Sequence, residues 1–539
     1  MVYNEHESEG ISMTKRSRRK RRVFINATTR LLILACILLL QISMVALLAY
    51  FLQNLSIIVL VVLYAISIVA CVFISARHDN PATRVFWLLL IGFFPAFGLI
   101  MYFMWGMPRR GTAKYRIEEK CAAKAAQALT GYAAKTRDEA RRQGRDSVSE
   151  ASRSPAAMIS RSYLDSFGFP AFRDTRVTYF SSGETLFADM RKALANAEQY
   201  IFLSFFILRE GQLWSELHPI LQAKAAAGVE VRLLIDDAGT MFNISDEFIL
   251  ELRDEGIVVE QFNPTHRFLN NLYLNYRNHQ KIIVIDGNAG YTGGVNLADE
   301  YANYTAPFGY WKDTGIRLDG PGVYGLTAAF LKMWEQTTMS PADDYERFLP
   351  KISQDEEGLC QVFTDGPGNN PANPAEGLIY RMIESAHNYV YLTTPYLAVS
   401  QAFIDVLCRV ARSGVRVVLV VPYQLDHWYV FEVTQSHFSR LIDAGVEVYR
   451  FKPGMLHAKM IVADDIHALV GTINLDNRSF YSQYEDGVLF SGMKAVADVR
   501  EDIEDTVRQS FRVTREDCEK IGLLRSSFGI FMRIFSPLM

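Results

Sequence analysis

What this chain does not have narrows it first. Its 56 lysines and arginines are balanced by 59 aspartates and glutamates, for a formal charge of -3. No global basicity advertises nucleic acid as a partner, so any charge signal must be local. The six cysteines, at 36, 71, 121, 360, 408 and 518, include no C-x-x-C spacing and no dense framework. That pattern excludes a disulfide scaffold and a cysteine-built metal site, and the cysteines read as free thiols. Disorder is excluded too, because 50% of the chain is hydrophobic. At 539 residues it is also too long for one ordinary domain.

Long apolar runs are present, and all of them come early. Leu31 to Tyr50, Leu55 to Ile74 and Val85 to Trp105 each approach the length of helix that crosses a bilayer, so the sequence predicts an integral, multi-pass membrane protein. The basic stretch KRSRRKRR at 15–22 argues for a cytoplasmic start, and no small-residue cleavage site follows to make the first run a secretory signal. RHDNPATR and PRRGTAKYR are basic as well, and three full spans cannot keep every basic flank inside. The third run, interrupted by Pro95 and Gly98, is therefore expected to dip in and return, leaving a cytoplasmic catalytic region.

From about Phe172 short apolar strands alternate with helical patterns, the signature of β-α-β units and a mainly parallel sheet. The pattern occurs twice. AAGVEVRLLIDDAG at 226–239 answers RSGVRVVLVVPYQ at 412–424, and DEGIVVEQFNP at 254–264 answers DAGVEVYRFKP at 443–453. The expected organisation is a basic cytoplasmic tail (1–30), a transmembrane region (31–106), a basic juxtamembrane helical linker (107–168), a first α/β lobe (169–355), a second (356–515) and a C-terminal amphipathic helix (516–539). The linker's cations either face lipid phosphates or are simply solvated. The Gly-, Pro- and Asn-rich stretch 364–377 reads as the connection between lobes. The last helix is either interfacial or a cover for the core.

Each lobe carries the same five residues at the same spacing. YRNHQKIIVIDGNAGYTGGVN and MLHAKMIVADDIHALVGTIN align without a gap, matching His279 with His457, Lys281 with Lys459, Asp286 with Asp464, Gly293 with Gly471 and Asn296 with Asn474. Side chains alternate along a strand, so His279 and Lys281 share a face while Asp286 falls on the other, where it reads as scaffold. One His-x-Lys is an ordinary strand face, but a chance five-residue match is roughly a one-in-a-thousand event in a chain of normal composition. Two imidazoles, two ammoniums and two amides around one spot suit a phosphate group under attack. The remaining histidines, 6, 78, 218, 266, 387, 427, 437 and 467, show no such repeat and read as structural or solvated.

The duplicated H-x-K-x4-D-x6-G-x-x-N resembles the HKD motif of the phospholipase D superfamily. Over nearly its whole length the chain is similar to bacterial cardiolipin synthases, through PATRVFWLLLIGFFPAFGLIMYFMWG, GYWKDTGIRLDGPGV, YLTTPYL and the terminal FSPLM. That resemblance implies two phospholipase D-like α/β/α lobes forming one catalytic unit behind transmembrane helices in a bacterial cell membrane. It implies a phosphatidyltransferase that makes cardiolipin and glycerol from two phosphatidylglycerols through a phosphohistidine, with no metal or organic cofactor and no nucleic acid. A phospholipase D-type hydrolase, using water as acceptor, is the alternative. A nuclease of the same superfamily would leave three apolar runs unexplained. Carried over by position, the catalytic set is His279, Lys281 and Asp286 with His457, Lys459 and Asp464, His279 being the nucleophile and His457 the acid/base. Asn296 and Asn474 would grip phosphate, and Asp313 and Glu485 would orient the imidazoles. The family's frequent Ser after the motif glycine is Gly294 in one copy and Thr472 in the other.

Overall fold

The computed structural model describes residues 57–77, 80–106, 113–144, 150–264, 275–370 and 372–539, with residues 39 and 43. In the first lobe the strands are β1 (Arg176–Phe180), β2 (Tyr200–Phe205), β3 (Glu230–Asp236), β4 (Val258–Phe262), β5 (Arg277–Asn278), β6 (Ile282–Ile285), β7 (Ala289–Gly293), β8 (Tyr310–Lys312) and β9 (Gly315–Asp319). The second lobe has β10 (Leu359–Asp365), β11 (Tyr389–Thr393), β12 (Leu397–Ala398), β13 (Arg416–Pro422), β14 (Glu447–Phe451), β15 (Gly454–Leu456), β16 (Met460–Ala463), β17 (His467–Gly471), β18 (Leu475–Asp476), β19 (Gln483–Ser491) and β20 (Ser510–Arg512). The first sheet runs β1-β9-β7-β6-β2-β3-β4 and the second β10-β19-β17-β16-β11-β13-β14-β20, so the duplication seen in sequence is a duplication of topology.

The sheets are mixed, which corrects the mainly parallel expectation. Among strands of the same lobe, only β2-β3-β4 and β11-β13-β14 run parallel within the two sheets. These are the strands joined through helices, whereas β6-β7 and β16-β17, which follow each His-x-Lys, are joined by tight turns and can only be antiparallel. Asp286 and Asp464 sit in those turns at φ 53, in the left-handed region.

One hydrophobic core spans both lobes. It joins Phe202, Ile282, Val284 and Ile316 of the first sheet to Val418, Met460, Val462 and Val488 of the second, through Phe330 and Leu331 on one helix and Val499 and Ile503 on another. Those helices, Val323–Thr338 and Lys494–Arg508, form the layer between the sheets, and further helices cover the outer faces over two separate cores. The stretch 364–377, expected to join the lobes, lies inside the second. There Asp365 closes the turn from β10 into helix Pro374–Glu384 by accepting bonds from Gly366 N at 2.7 Å and Ala375 N at 2.9 Å. The expected linker is largely one helix, Ala113–Arg142, and it belongs to the catalytic body: Cys121, Ala125, Leu129 and Ala133 recur every four residues as its buried stripe. Lys124 of this helix is bonded to Glu335 at 2.6 Å.

Of the three expected spans, the first lies outside the described residues apart from positions 39 and 43. The second is helix Ile57–Ser75, 19 residues long with a hydropathy of 3.2, and among the described residues it is the one helix long and apolar enough to cross a membrane. The third is not a continuous helix. It divides into Pro81–Phe93 and Pro95–Met101, with Phe94 at φ -131 and ψ 70 between them and Pro95 opening the second piece. A Cβ on Gly98 would lie 2.6 Å from Ile91 Cα, so the chain doubles back at a distance only glycine allows. Arg77 Nη1 donates to Tyr102 Oη at 2.7 Å, which brings the two ends of this hairpin together.

Candidate active site

Each lobe reaches across to the other with a short strand. β5 pairs with β19 in parallel, and β15 pairs with β8. His279 N donates to Tyr484 O at 2.9 Å, and His457 N donates to Lys312 O at 2.8 Å, so each histidine is fixed by backbone from the opposite lobe. The residues following those carbonyls are Glu485 and Asp313. His279 Nδ1 lies 2.9 Å from both Glu485 carboxylate oxygens, and His457 Nδ1 lies 2.6 Å from Asp313 Oδ2. With Nδ1 engaged by a carboxylate in both rings, Nε2 is the nitrogen each imidazole keeps clear of its carboxylate. The pairing is crossed: the first lobe's carboxylate serves the second lobe's histidine, and the reverse.

The two buried lysines complete the constellation. Lys281 Nζ donates to His279 O at 2.6 Å, and Lys459 Nζ donates to His457 O and stands 3.1 Å from His457 Nε2. Burial lowers Lys281 to about 7 and Lys459 to about 8. Burial, then the ammonium groups of Lys281 and Lys459, hold His279 well below the ordinary imidazole range. His457 is lowered by burial and Lys459 against the opposing pull of Asp313. Glu485 is raised to about 7 by burial. Lysines this close to neutrality gain most from an anionic phosphodiester, whose charge favours their protonated form.

The family serine's two replacements now have a physical reason. A Cβ on Gly294 would lie 2.0 Å from Asp313 Oδ1, so the short carboxylate of Asp313 fills the volume a hydroxyl side chain would take. In the second lobe the longer Glu485 leaves that room, and Thr472 Oγ1 donates to its Oε2 while Ser479 Oγ donates to its Oε1 at 2.7 Å.

Asp286 and Asp464 stand apart from this chemistry. Asp286 accepts from the amides of Glu198, Gln199 and Tyr200 at 2.7–2.8 Å, and Asp464 from those of His387, Asn388 and Tyr389 at 2.6–2.8 Å. Seven residues of mostly extended chain, roughly 20 Å, separate each from its histidine, so their place is scaffold. Asn296 is held in its own lobe, accepting from Ile207 N at 3.1 Å and donating to Tyr301 Oη at 2.8 Å. Asn474 keeps a buried Oδ1 with no partner. Sequence reasoning missed Ser479, Asp486 and Arg277. Asp486 accepts from Thr292 Oγ1 and Lys281 N across the lobes, and its neighbour Glu485 is the only signal that could have pointed to it. Arg277, 1% exposed and paired with Asp236 at 3.2 Å, has Met455 as its counterpart, so no repeat revealed it.

This fold and this crossed pair of histidines define a two-lobed enzyme of the phospholipase D superfamily. Residues 190–306 and 379–507, which include both His-x-Lys stretches, match the family described as "Cardiolipin synthase, PLD-like domain", and residues 62–106 match the phospholipase D-nuclease N-terminal family. A protein named Cardiolipin synthase 2 from Bacillus cereus is 30% identical over 479 residues, covering 88% of this chain and 90% of the relative. An uncharacterized protein of Streptococcus mutans is 38% identical over 69% of this chain and 80% of its own length. A phosphatidylserine synthase structure from Haemophilus influenzae shares the fold, with a TM-score of 0.53 at 14% identity over 69% of this chain and 97% of that one. The chain belongs to the bacterial cardiolipin synthase family.

Proposed function

We propose that the chain joins two phosphatidylglycerols into cardiolipin and releases glycerol, through a phosphatidyl group held on His279. The observation that carries this reading is the crossed pairing, because it places two imidazoles with differently tuned surroundings in one site. His279, held neutral by burial and the two ammoniums, donates Nδ1–H to Glu485 and attacks phosphorus with Nε2. The bond from phosphorus to the departing glycerol oxygen breaks, and His457, whose charged form Asp313 favours, protonates that oxygen. The terminal hydroxyl of the second phosphatidylglycerol then gives its proton to His457. Its oxygen attacks phosphorus, and the phosphorus–nitrogen bond breaks. Lys281 and Lys459 offset the charge on the non-bridging oxygens.

A multi-pass topology with both termini cytoplasmic fits the same reading. Ile57–Ser75 crosses the membrane and the hairpin from Pro81 dips in and comes back, so the basic flanks RHDNPATR and PRRGTAKYR lie on the same, cytoplasmic side. The bond between the hairpin's two ends supports this arrangement. The test of function is mass spectrometry of lipids after the purified chain meets phosphatidylglycerol vesicles. Cardiolipin and glycerol are expected in equal amounts, and phosphatidic acid in place of cardiolipin would make the enzyme a hydrolase. A donor with a leaving group that needs no proton should leave a covalent phosphatidyl adduct on His279 in the His457→Ala variant and none in His279→Ala. An adduct on His457 would reverse the two roles.

A further inference from the structure

The C-terminal helix Leu523–Met532 exposes large apolar side chains beside Ser526, Ser527 and a half-exposed Arg525. Its arginine Arg525 is bonded to the largely buried Glu432 at 2.6 Å, and Arg533, just beyond, donates to Ser436 Oγ at 2.7 Å. A Cβ on Gly529 would come within 2.8 Å of Glu432 O, so the helix is seated firmly on the second lobe. Its outward positions are Leu523 and Leu524, 82% and 89% exposed, with Ile530 and Phe531 at 55% and 53%. A contiguous exposed apolar face on a well-packed helix marks an interaction surface.

Two lines of contact say what covers it. At the mouth of the re-entrant hairpin, the buried Asn80 donates to Asn477 Oδ1 at 3.0 Å, and Asn477 donates to Ser536 Oγ at 3.2 Å. Phe86 of the hairpin meets Phe535 edge-on, with ring centroids 6.2 Å apart. The end of the chain therefore sits where the hairpin leaves the bilayer. On its other flank, Phe528 stacks on Trp428, itself 61% exposed, at 6.2 Å. Trp428 lies two residues beyond Asp426, whose charge acts on His457 and Lys459.

We propose that helix Leu523–Met532 and Trp428 lie in the bilayer interface beside the re-entrant hairpin and form the lip over which phospholipid passes from the membrane to the catalytic histidines. This rests on the reading of the chain as an enzyme that acts on phospholipid at a membrane, whatever the acceptor. The occupant is the lipid surface itself, since the face continues directly from the membrane-embedded hairpin and carries indole and aliphatic groups suited to the headgroup boundary.

The test compares two forms of one substrate with the full-length enzyme: long-chain phosphatidylglycerol in vesicles, and dihexanoyl phosphatidylglycerol below its micelle concentration. Leu523→Gln with Leu524→Gln should lower turnover of the vesicle substrate at least tenfold and leave turnover of the monomeric one within twofold. Ile530→Gln, about two helical turns beyond those leucines, should show the same split more weakly. If both variants lose the two substrates in parallel, or lose neither, the lip is refuted. The comparison is of rates whatever the product, so a wild-type enzyme that released phosphatidic acid would overturn the transferase reading without touching this one.

Discussion

Gly294→Ala tests the coupling between the motif glycine's neighbour and the carboxylate of the same lobe. Gly294 is absent from the positions with positive φ, so alanine costs nothing in backbone strain. The cost is steric, because the new Cβ would stand 2.0 Å from Asp313 Oδ1 and 2.7 Å from its Cγ. Restoring ordinary contact requires the carboxylate to retreat by about 1.4 Å. Asp313 Oδ2 is 2.6 Å from His457 Nδ1, and Oδ1 also accepts from Thr314 N at 2.8 Å, so a retreat of that size breaks the bond to the imidazole. A charge-assisted hydrogen bond is worth about 1.5–3 kcal/mol. At about 1.4 kcal/mol per decade, that is roughly a 10- to 150-fold fall in kcat. KM should change little, since the lysines that meet the phosphate are untouched. The assay is initial-rate cardiolipin formation in mixed micelles, with the thermal transition measured alongside. A kcat within threefold of wild type in a properly folded variant, or a loss confined to KM, would refute the coupling.

Other outcomes follow from the same geometry. Asp313→Asn should slow reaction with natural phosphatidylglycerol by roughly 100-fold or more yet still form adduct from a donor with a good leaving group, while Glu485→Gln should lose adduct formation itself; reversed results in rapid-quench adduct assays would break the crossed assignment. Asn80→Asp keeps the bond that caps helix Pro81–Phe93 through Ala82 N but removes the donor to Asn477, so it should cost about 1–3 kcal/mol in stability, read as a lower detergent-solution melting temperature than wild type. His467 is buried with neither ring nitrogen partnered, and burial lowers it to about 4. Because its folded value lies below the unfolded 6.5, its neutral form stabilises the fold above that pH and the contribution is lost as pH falls from about 6.5 towards 4, about 2 kcal/mol by pH 5. His467→Leu should therefore flatten the decline in melting temperature between pH 7 and 5, and an unchanged slope would show that this histidine is not its source.

The duplicated lobes were legible because repetition at fixed spacing is a local signal, whereas Asp313 and Glu485 came only with the family resemblance, since they stand at different distances beyond the two motifs. Which histidine each carboxylate serves was not legible. Glu485 is 206 residues from His279 and Asp313 is 144 from His457, and nothing local tells a crossed pair from one within a lobe. Sheet direction differs for a related reason: strands alternating with helical patterns imply parallel β-α-β units, and only the tight turns at Asp286 and Asp464 make the strands around Ile282 and Met460 antiparallel to the next. The stretch 364–377 has the composition of a linker, yet its polar residues serve a strand-to-helix turn around Asp365. Gly294 was visible as a departure from the family, but the compensating shortness of Asp313 becomes apparent only in three dimensions.

Exchange of carboxylates explains how a duplicated lobe acquires two different histidines. If each lobe oriented its own imidazole, two copies of one motif would produce two similar environments, and neither ring would have a defined role. Here each imidazole takes its character from the other copy, and the copies have diverged where that matters. Glu485 is shared among Thr472, Ser479 and His279, so its charge is spread over three donors, whereas among the described residues Asp313 is hydrogen-bonded to one side chain, His457, and its charge opposes the lowering of that ring's proton affinity by burial. The ammonium groups act on both rings, but His279 has Lys281 and Lys459 against it. Both rings are held below the ordinary imidazole range, but at His457 Asp313 pulls back towards the protonated form, and that difference suits the proposed two-step transfer. Both environments depend on β5 meeting β19 and β15 meeting β8. In the proposed mechanism, any movement that parts the lobes by a hydrogen-bond length would disable attacker and proton donor together, so catalysis and lobe docking should not be separable by mutation at that seam.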